Sequence, residues 1–330
     1  MNDTLQMTPD TMMKGFHDHI TKKPERTDIM LLGYYRGGTT FVGRILGHRT
    51  GSFYFYEPLW NLSKWGEFKK TEWCDQRKPY CREPKSVWEK SDTAIETLMN
   101  VYRCNFTGME SSVIIEPVHV VHGGPSWEQY GSCDKSRNLT CLKNLSIRCS
   151  ESHTIVSKVL RLSFELIEEL LLRIPTLKVI HMIRDPRPVI MSRFKYFGPA
   201  FENKDAAALS LCQKMLFDFN CSQTLRSKYP DRVVILPYET IAKNPQKMMG
   251  YIFEKFNLEF TDVDKQEIHN ITEADTESAG IWNGVQTNSS DTAIKWIREI
   301  RASRVAIINK ACSPLFNMLS GYNISYPKSR

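Results

Sequence analysis

Residues 28–60 read DIMLLGYYRGGTTFVGRILGHRTGSFYFYEPLW, and the rest of the chain is organised around them. Ile29 to Leu32 is an apolar run of the length of a buried strand. A glycine-broken turn follows, Gly33-Tyr-Tyr-Arg-Gly37-Gly38. Thr39-Thr40 then leads an apolar-periodic segment, Phe41-Val42-Ile45-Leu46. Strand, glycine turn and helix start make an anion cradle. The first helical turn has free N–H groups pointing outward, and the helix dipole adds about half a positive charge there. Gly37 and Gly38 let the backbone approach an anion closely, and the hydroxyls of Thr39 and Thr40 add donors.

Gly33, Gly38 and Thr40 stand where the nucleotidase loop G-x-x-x-x-G-K-[ST] has its glycines and its hydroxyl. Thr39 takes the lysine place, and the positive charge sits earlier, at Arg36. A triphosphate site working with Mg²⁺ would use that lysine. The frame therefore suits a terminal phosphate or phosphosulfate better, with a ligand-free glycine turn as the plainer alternative.

The chain has 330 residues, 41% hydrophobic and 25% charged, as in an ordinary globular protein. Its formal charge of +7 favours anionic ligands, but no basic block or basic–aromatic array marks a nucleic-acid groove. Nine cysteines include no C-x-x-C pair, and six of them fall between Trp73 and Ser150. Nine N-x-[ST] sequons begin at Asn2, Asn61, Asn105, Asn138, Asn144, Asn220, Asn270, Asn288 and Asn323. Chance would give about two among this many asparagines. Cysteines and sequons together point to a secretory lumen. One cysteine is left to stay free, to bridge to another chain, or to pair beyond this sequence. Residues 1–27 read as a flexible polar leader, without signal peptide or membrane helix, so a lumenal protein would owe its entry to an N-terminal anchor absent here.

Residues 28–330 are expected to form one domain. From Leu59 to Ser152 no sustained helical period is seen apart from Ser86–Tyr102. Trp65, Trp73, Trp88 and Trp127 lie there among Cys, Pro and Gly, so residues 64–152 read as a Cys/Trp-rich insertion shaping the acceptor side. Strands are expected at Thr154–Val159, Leu177–Ile183 and Val233–Leu236. Helices are expected at Ser163–Arg173, with Ser163 as cap, from Pro186 through Arg193, and at Lys204–Tyr229, Pro245–Phe256 and Asp291–Cys312. The alternation predicts an α/β fold, a P-loop-like three-layer arrangement around a mostly parallel sheet. Arg36, Glu57, Lys158, Arg184 and Tyr238 fall at or just past strand carboxyl ends, where such folds bind ligands.

A second anion element is Val179-Ile-His-Met-Ile-Arg184-Asp-Pro-Arg-Pro-Val-Ile-Met-Ser192-Arg193. Arg184 can take a phosphate bidentately, and Ser192 lies two turns along the helix opened by Pro186. Read alone, Arg184-Asp185 is equally a surface ion pair. Two anion sites on neighbouring strand ends fit a nucleotide with phosphates on both its 5′ and 3′ sides. His119-x-x-His122 is the one metal-like spacing, too little for a ligand set.

Tyr35-Arg-Gly-Gly-Thr-Thr-Phe41 followed by Phe53-Tyr-Phe-Tyr-Glu-Pro-Leu-Trp60 resembles the 5′-phosphosulfate loop of Golgi carbohydrate sulfotransferases. It is most like that of enzymes sulfating the 6-hydroxyl of galactose, N-acetylglucosamine or N-acetylgalactosamine. The Val179–Arg193 element is similar to their 3′-phosphate element. Ser157-Lys-Val-Leu-Arg161, Leu236-Pro-Tyr-Glu-Thr-Ile-Ala-Lys-Asn-Pro245 and Trp296…Cys312…Gly321-Tyr322 match in kind and order. The chain departs from the pattern at Gly37, at Thr39 and Thr40, and in Gly284–Ser290, which lacks the Arg common in the loop over the nucleotide.

The resemblance implies 3′-phosphoadenosine 5′-phosphosulfate (PAPS) as co-substrate and no metal. Arg36, Gly37, Gly38, Thr39, Thr40 and Phe41 would hold the 5′-phosphosulfate, and Arg184 and Ser192 the 3′-phosphate. Glu57 would be the base taking the acceptor proton, with Lys158 and Arg36 facing the sulfuryl charge; the alternative role for Glu57 is an ion pair with Arg36 or Lys158. The expected partners are a glycan or glycosaminoglycan acceptor, with room for a homodimer, no nucleic acid, and membrane contact only through the absent anchor. The expected location is the Golgi lumen or, failing that, outside the cell. Competing readings are a nucleotide-dependent phosphotransferase and a catalytically silent glycan- or nucleotide-binding protein of the same fold.

Overall fold

In the computed structural model, the apolar run after Arg26 forms the central strand, β1 (Thr27–Leu32), buried almost throughout. The structure describes residues 26–60, 73–74, 81–82, 89–109, 111–114, 117–131, 139–197, 204–275, 277 and 283–321. The expected leader (up to residue 25), Trp65, Trp88, Cys133, Tyr322 and the sequons at Asn2, Asn61, Asn138 and Asn323 lie outside the described residues.

After β1 come α1 (Thr39–Gly47), β2 (Ser52–Tyr56), the short pair β3 (Trp73–Cys74) and β4 (Cys81–Arg82), and α2 (Glu89–Tyr102). Next are α3 (Leu139–Glu151), β5 (Thr154–Val159), α4 (Ile167–Arg173), β6 (Leu177–Ile183), α5 (Pro186–Phe197), α6 (Lys204–Lys228) and β7 (Val233–Pro237). The chain closes with α7 (Pro245–Lys255), α8 (Asp262–Thr272) and α9 (Ala302–Gly321). The main sheet runs β2-β5-β1-β6-β7, and all four of its pairings are parallel. The expected "mostly parallel" sheet is thus wholly parallel.

Both faces are covered, which is why these strands read as continuous apolar runs rather than alternating ones. Met30 and Leu32 of β1 face a cluster with α2, α3 and α4. Ile29 and Leu31 face α1, α7 and α8. A third cluster under α5 joins Tyr34, Ile183 and Val189 to α6 and α9. β1 leads through α1 to β2 at one edge, while β6 leads to β7 at the other. That change of direction opens a crevice beyond the carboxyl end of β1, where open parallel sheets bind ligands.

Three expectations on the elements need correction. The region Leu59–Ser152 is helical well beyond one segment, with α2, α3 and short helices at Ser111–Ile114 and Pro117–His122. In α3 the buried residues are only Leu145 and Cys149, too thin a stripe to show a period; the helix is held by the Cys104–Cys149 disulfide. The helix expected at Asp291–Cys312 is instead Ser289–Ile294, Trp296–Glu299 and α9. The extended Ile300 interrupts it, so that Trp296 is buried while Ile308, Cys312 and Leu315 turn into the third cluster. Ser163 does not cap α4: a 3₁₀ turn, Phe164–Leu166, intervenes, and the Ser163 hydroxyl donates to Glu165 Oε2 at 3.4 Å. α8, absent from the sequence reading, is closed by a capping box between Thr261 and Asp264.

Candidate active site

The glycine turn is tighter than flexibility alone would demand. Gly38 caps α1 at φ 90° with no side-chain cap, so the first N–H groups of that helix stay turned toward the crevice. A Cβ on Gly38 would lie 2.5 Å from the Tyr238 ring, so the glycine also lets Tyr238, just past β7, pack over the turn. Arg36 takes a left-handed φ of 65°, a conformation costly for a residue with a Cβ.

The two anion elements converge. Arg36 Nε donates to Ser192 Oγ at 2.9 Å, and Arg184 Nη1 donates to the Arg36 carbonyl at 3.3 Å. The Arg184 guanidinium lies 4.1 Å from the centroid of the Tyr238 ring, while its buried Nε has no partner. Arg193, beside Ser192, donates Nε to Tyr35 O at 3.1 Å and ties α5 to the turn. Deeper still, Tyr34 and Ser222 engage opposite ring nitrogens of His181 at 3.0 and 2.9 Å. Burial first, then the charge of Lys214, pushes His181 down to about 3, so the ring is neutral.

The third part is a buried ion cluster. Lys158 Nζ donates to Glu57 Oε1 at 2.7 Å and to Thr40 Oγ1 at 3.2 Å, and sits 3.9 Å from the Tyr56 ring centroid. Arg161 bonds the other carboxylate oxygen, Glu57 Oε2. Glu57 itself has φ 46°, just past β2. Burial pushes its carboxyl up, but the charges and hydrogen bonds of Lys158 and Arg161 outweigh that and hold it at about 2. The ion-pair alternative thus describes Glu57 as it stands, with Lys158 and Arg161 rather than Arg36 as partners.

Phe41 departs from its expected place among the anion contacts. Its ring is in the core, edge-on to Tyr238, and its N–H donates to Gly38 O at 3.1 Å. His119 and His122 do not pair as metal ligands. Both ring nitrogens of His119 lie 2.6 Å from backbone carbonyls, and His122 stacks on Tyr56. Among the described residues no group of three or more His, Cys, Asp or Glu is arranged to hold a metal ion.

The profile of the sulfotransferase family matches residues 28–262, from β1 to the start of α8. The chain belongs to the sulfotransferase family. Carbohydrate sulfotransferase 1 of Homo sapiens is 23% identical over 349 aligned positions, covering 91% of this chain and 80% of that protein. Carbohydrate sulfotransferase 3 of Mus musculus is 23% identical, covering 91% of this chain and 69% of that protein. Among solved structures, mouse sulfotransferase SULT7A1 complexed with PAP superposes with a TM-score of 0.47 at 13% identity, over 90% of this chain and 88% of that one. The protein is an enzyme, a sulfotransferase. Arg161 escaped assignment as a site residue of this sulfotransferase. It closes the Ser157–Arg161 motif, yet only the fold shows it reaching Glu57.

Proposed function

We propose that this sulfotransferase moves a sulfuryl group from PAPS to a sugar hydroxyl of a glycan, the 6-hydroxyl of galactose, N-acetylglucosamine or N-acetylgalactosamine. The observation that carries the reading is the position of Lys158. One ammonium touches both Thr40 of the anion cradle and Glu57. The residues fit the donor's charges. The uncapped α1 start and Arg36 suit the 5′-phosphosulfate, and the unpartnered Arg184 Nε, with Ser192, suits the 3′-phosphate. The matched carbohydrate sulfotransferases support a sugar acceptor.

In the transfer, the acceptor oxygen forms a new bond to sulfur while its proton passes to Glu57. The bond from sulfur to the bridging oxygen breaks, and adenosine 3′,5′-bisphosphate leaves with the electron pair. Lys158 and Arg36 stabilise charge on the bridging and sulfuryl oxygens. A carboxylate held at about 2 is a weak base. When Lys158 turns to the donor, Glu57 loses one of its two cations and its proton affinity rises. His122 stacks on Tyr56, next to Glu57, with ring centroids 4.5 Å apart. It belongs to the 64–152 region read as the acceptor side.

A Golgi lumen or extracellular setting accords with the Cys104–Cys149 and Cys212–Cys312 disulfides and with the disulfide-bonded Cys141. Asn105, Asn144, Asn220, Asn270 and Asn288, the described sequon asparagines, are all exposed. No described helix is long and apolar enough to cross a membrane.

The deciding experiment combines titration with labelled-sulfate transfer to a glycan panel. Adenosine 3′,5′-bisphosphate should bind without Mg²⁺ and far more tightly than ATP. Glu57→Gln should keep that affinity and lose about 10²–10⁴ in kcat. Undiminished turnover by Glu57→Gln would remove Glu57 as base, and preference for ATP would overturn the donor assignment.

A further inference from the structure

The two cations on Glu57 are held in different ways. Lys158 is shared between the carboxylate and the cradle, with one hydrogen bond to each. Arg161 makes its hydrogen bond to Glu57 Oε2 alone, and its guanidinium lies 4.5 Å from the centroid of the Trp60 ring. Trp60 belongs to the same turn as the carboxylate, since its N–H donates to Glu57 O at 2.9 Å. The turn Glu57-Pro-Leu-Trp60 thus places a carboxylate at one end and a ring at the other, with Arg161 against both. A planar guanidinium can stack and donate at once, which an ammonium cannot do as well. The contacts that place Arg161 are those to Glu57 and Trp60, while its buried Nε has no partner.

Among the described residues, the other titratable groups that interact with Glu57 are Tyr35 from the glycine turn, Tyr54 from β2, and His119 and His122 from the Pro117–His122 helix. Burial raises both tyrosines, which are neutral near pH 7, and lowers both histidines. Among the described residues, Lys158 and Arg161 are the cations that pair with the carboxylate. If Lys158 leaves for the donor and Arg161 is missing, a buried carboxylate stands unpaired and takes up a proton before the acceptor arrives.

We propose that Arg161 is a positioning residue for the transfer: it fixes Oε2 of Glu57 and keeps the carboxylate ionised while Lys158 engages the donor, leaving Oε1 to meet the acceptor hydroxyl. The inference rests on Glu57 as base, and it divides the cations by task. Lys158 moves between carboxylate and donor, and Arg161 stays.

The test uses the full chain as wild type, Arg161→Gln, Arg161→Lys, Glu57→Gln and the Glu57→Gln/Arg161→Gln double variant. Transfer of labelled sulfate is followed across the acidic and neutral range, and adenosine 3′,5′-bisphosphate is titrated into each variant to report folding and donor binding. Arg161→Gln should bind the bisphosphate like wild type, lose on the order of 10² in kcat, and shift the acidic limb of its pH profile upward by about one unit or more. Arg161→Lys should return that limb toward wild type while recovering only part of the rate. In the Glu57→Gln background, Arg161→Gln should add no further loss. An unshifted acidic limb in Arg161→Gln, or the same loss with and without Glu57, overturns the proposal while leaving Glu57 as base. Full turnover by Glu57→Gln overturns both together.

Discussion

Arg184 carries its charge half-enclosed between the Arg36 carbonyl and the Tyr238 ring, with a buried Nε left unbonded. An unsatisfied donor of this kind is a cost to the free protein that a bound anion removes. Arg184→Met should therefore weaken adenosine 3′,5′-bisphosphate by roughly 10- to 150-fold, the value of a charge-assisted hydrogen bond. It should also lower the melting temperature of the free protein, because the Arg184 charge favours the ionised forms of the buried Glu239 and Asp185 carboxylates. Calorimetric titration and thermal scans of the two proteins check the pair of outcomes. The residues that line the crevice were mostly legible in the sequence. Arg36, Glu57, Lys158, Arg184 and Ser192 each stand next to a recognisable strand end or helix start. Arg161 and Phe41 were not, because whether a side chain turns into the crevice or into the core depends on what packs across from it.

At the scale of elements, the glycine turn leaves no room for a side chain at its end. Gly38 has a left-handed φ of 90° and Tyr238 packed where a side chain would begin. Gly38→Ala meets both obstacles. The conformation alone costs about 1–2 kcal/mol, and displacing the ring adds to it. A lowered denaturation midpoint together with weakened bisphosphate binding is the expected result; a variant matching wild type in both would separate the turn from the site. Strands and the first helix were readable because apolar runs bounded by Gly and Pro are local signals. α3 was not, since its burial depends on Cys149 meeting Cys104 from another segment. The break at Ile300 was not either, because Trp296 is drawn in by Arg187, whose guanidinium sits 4.6 Å from its ring centroid.

Over the whole molecule, α9 is fastened to α6 by Cys212–Cys312, a bridge spanning 100 residues that underlies the third core cluster and hence α5 with Ser192. In the chain-entropy account a loop of that size is worth about 4.7 kcal/mol. Cys312→Ser should lower the denaturation midpoint accordingly and loosen α5, measurable by hydrogen exchange in that helix. Cys221 is a free thiol. Acid should act through the buried groups of depressed pKa, among them His181 and Glu57. His181, at about 3 in the fold against an ordinary 6.5, contributes stability that is full above pH 6.5 and lost as pH falls toward 3. Glu57, at about 2 against 4.5, adds a further loss below pH 4.5. Between those limits His181 accounts for a slope of up to one proton, about 1.4 kcal/mol per pH unit. Denaturant midpoints measured against pH should flatten by that amount in His181→Gln.

The sequence by itself determined the α/β alternation, the two anion elements and the charged residues at strand ends. Each of these is written in a run of fewer than some twenty residues, where period, glycine and proline act locally. Only the tertiary structure decided that β1 lies between β5 and β6, and that Arg36 meets Ser192, 156 residues away. It likewise decided that Lys158 and Arg161 share one carboxylate across 101 and 104 residues. Contacts at such separation arise from how the strands are ordered in the sheet, and no local pattern encodes that order.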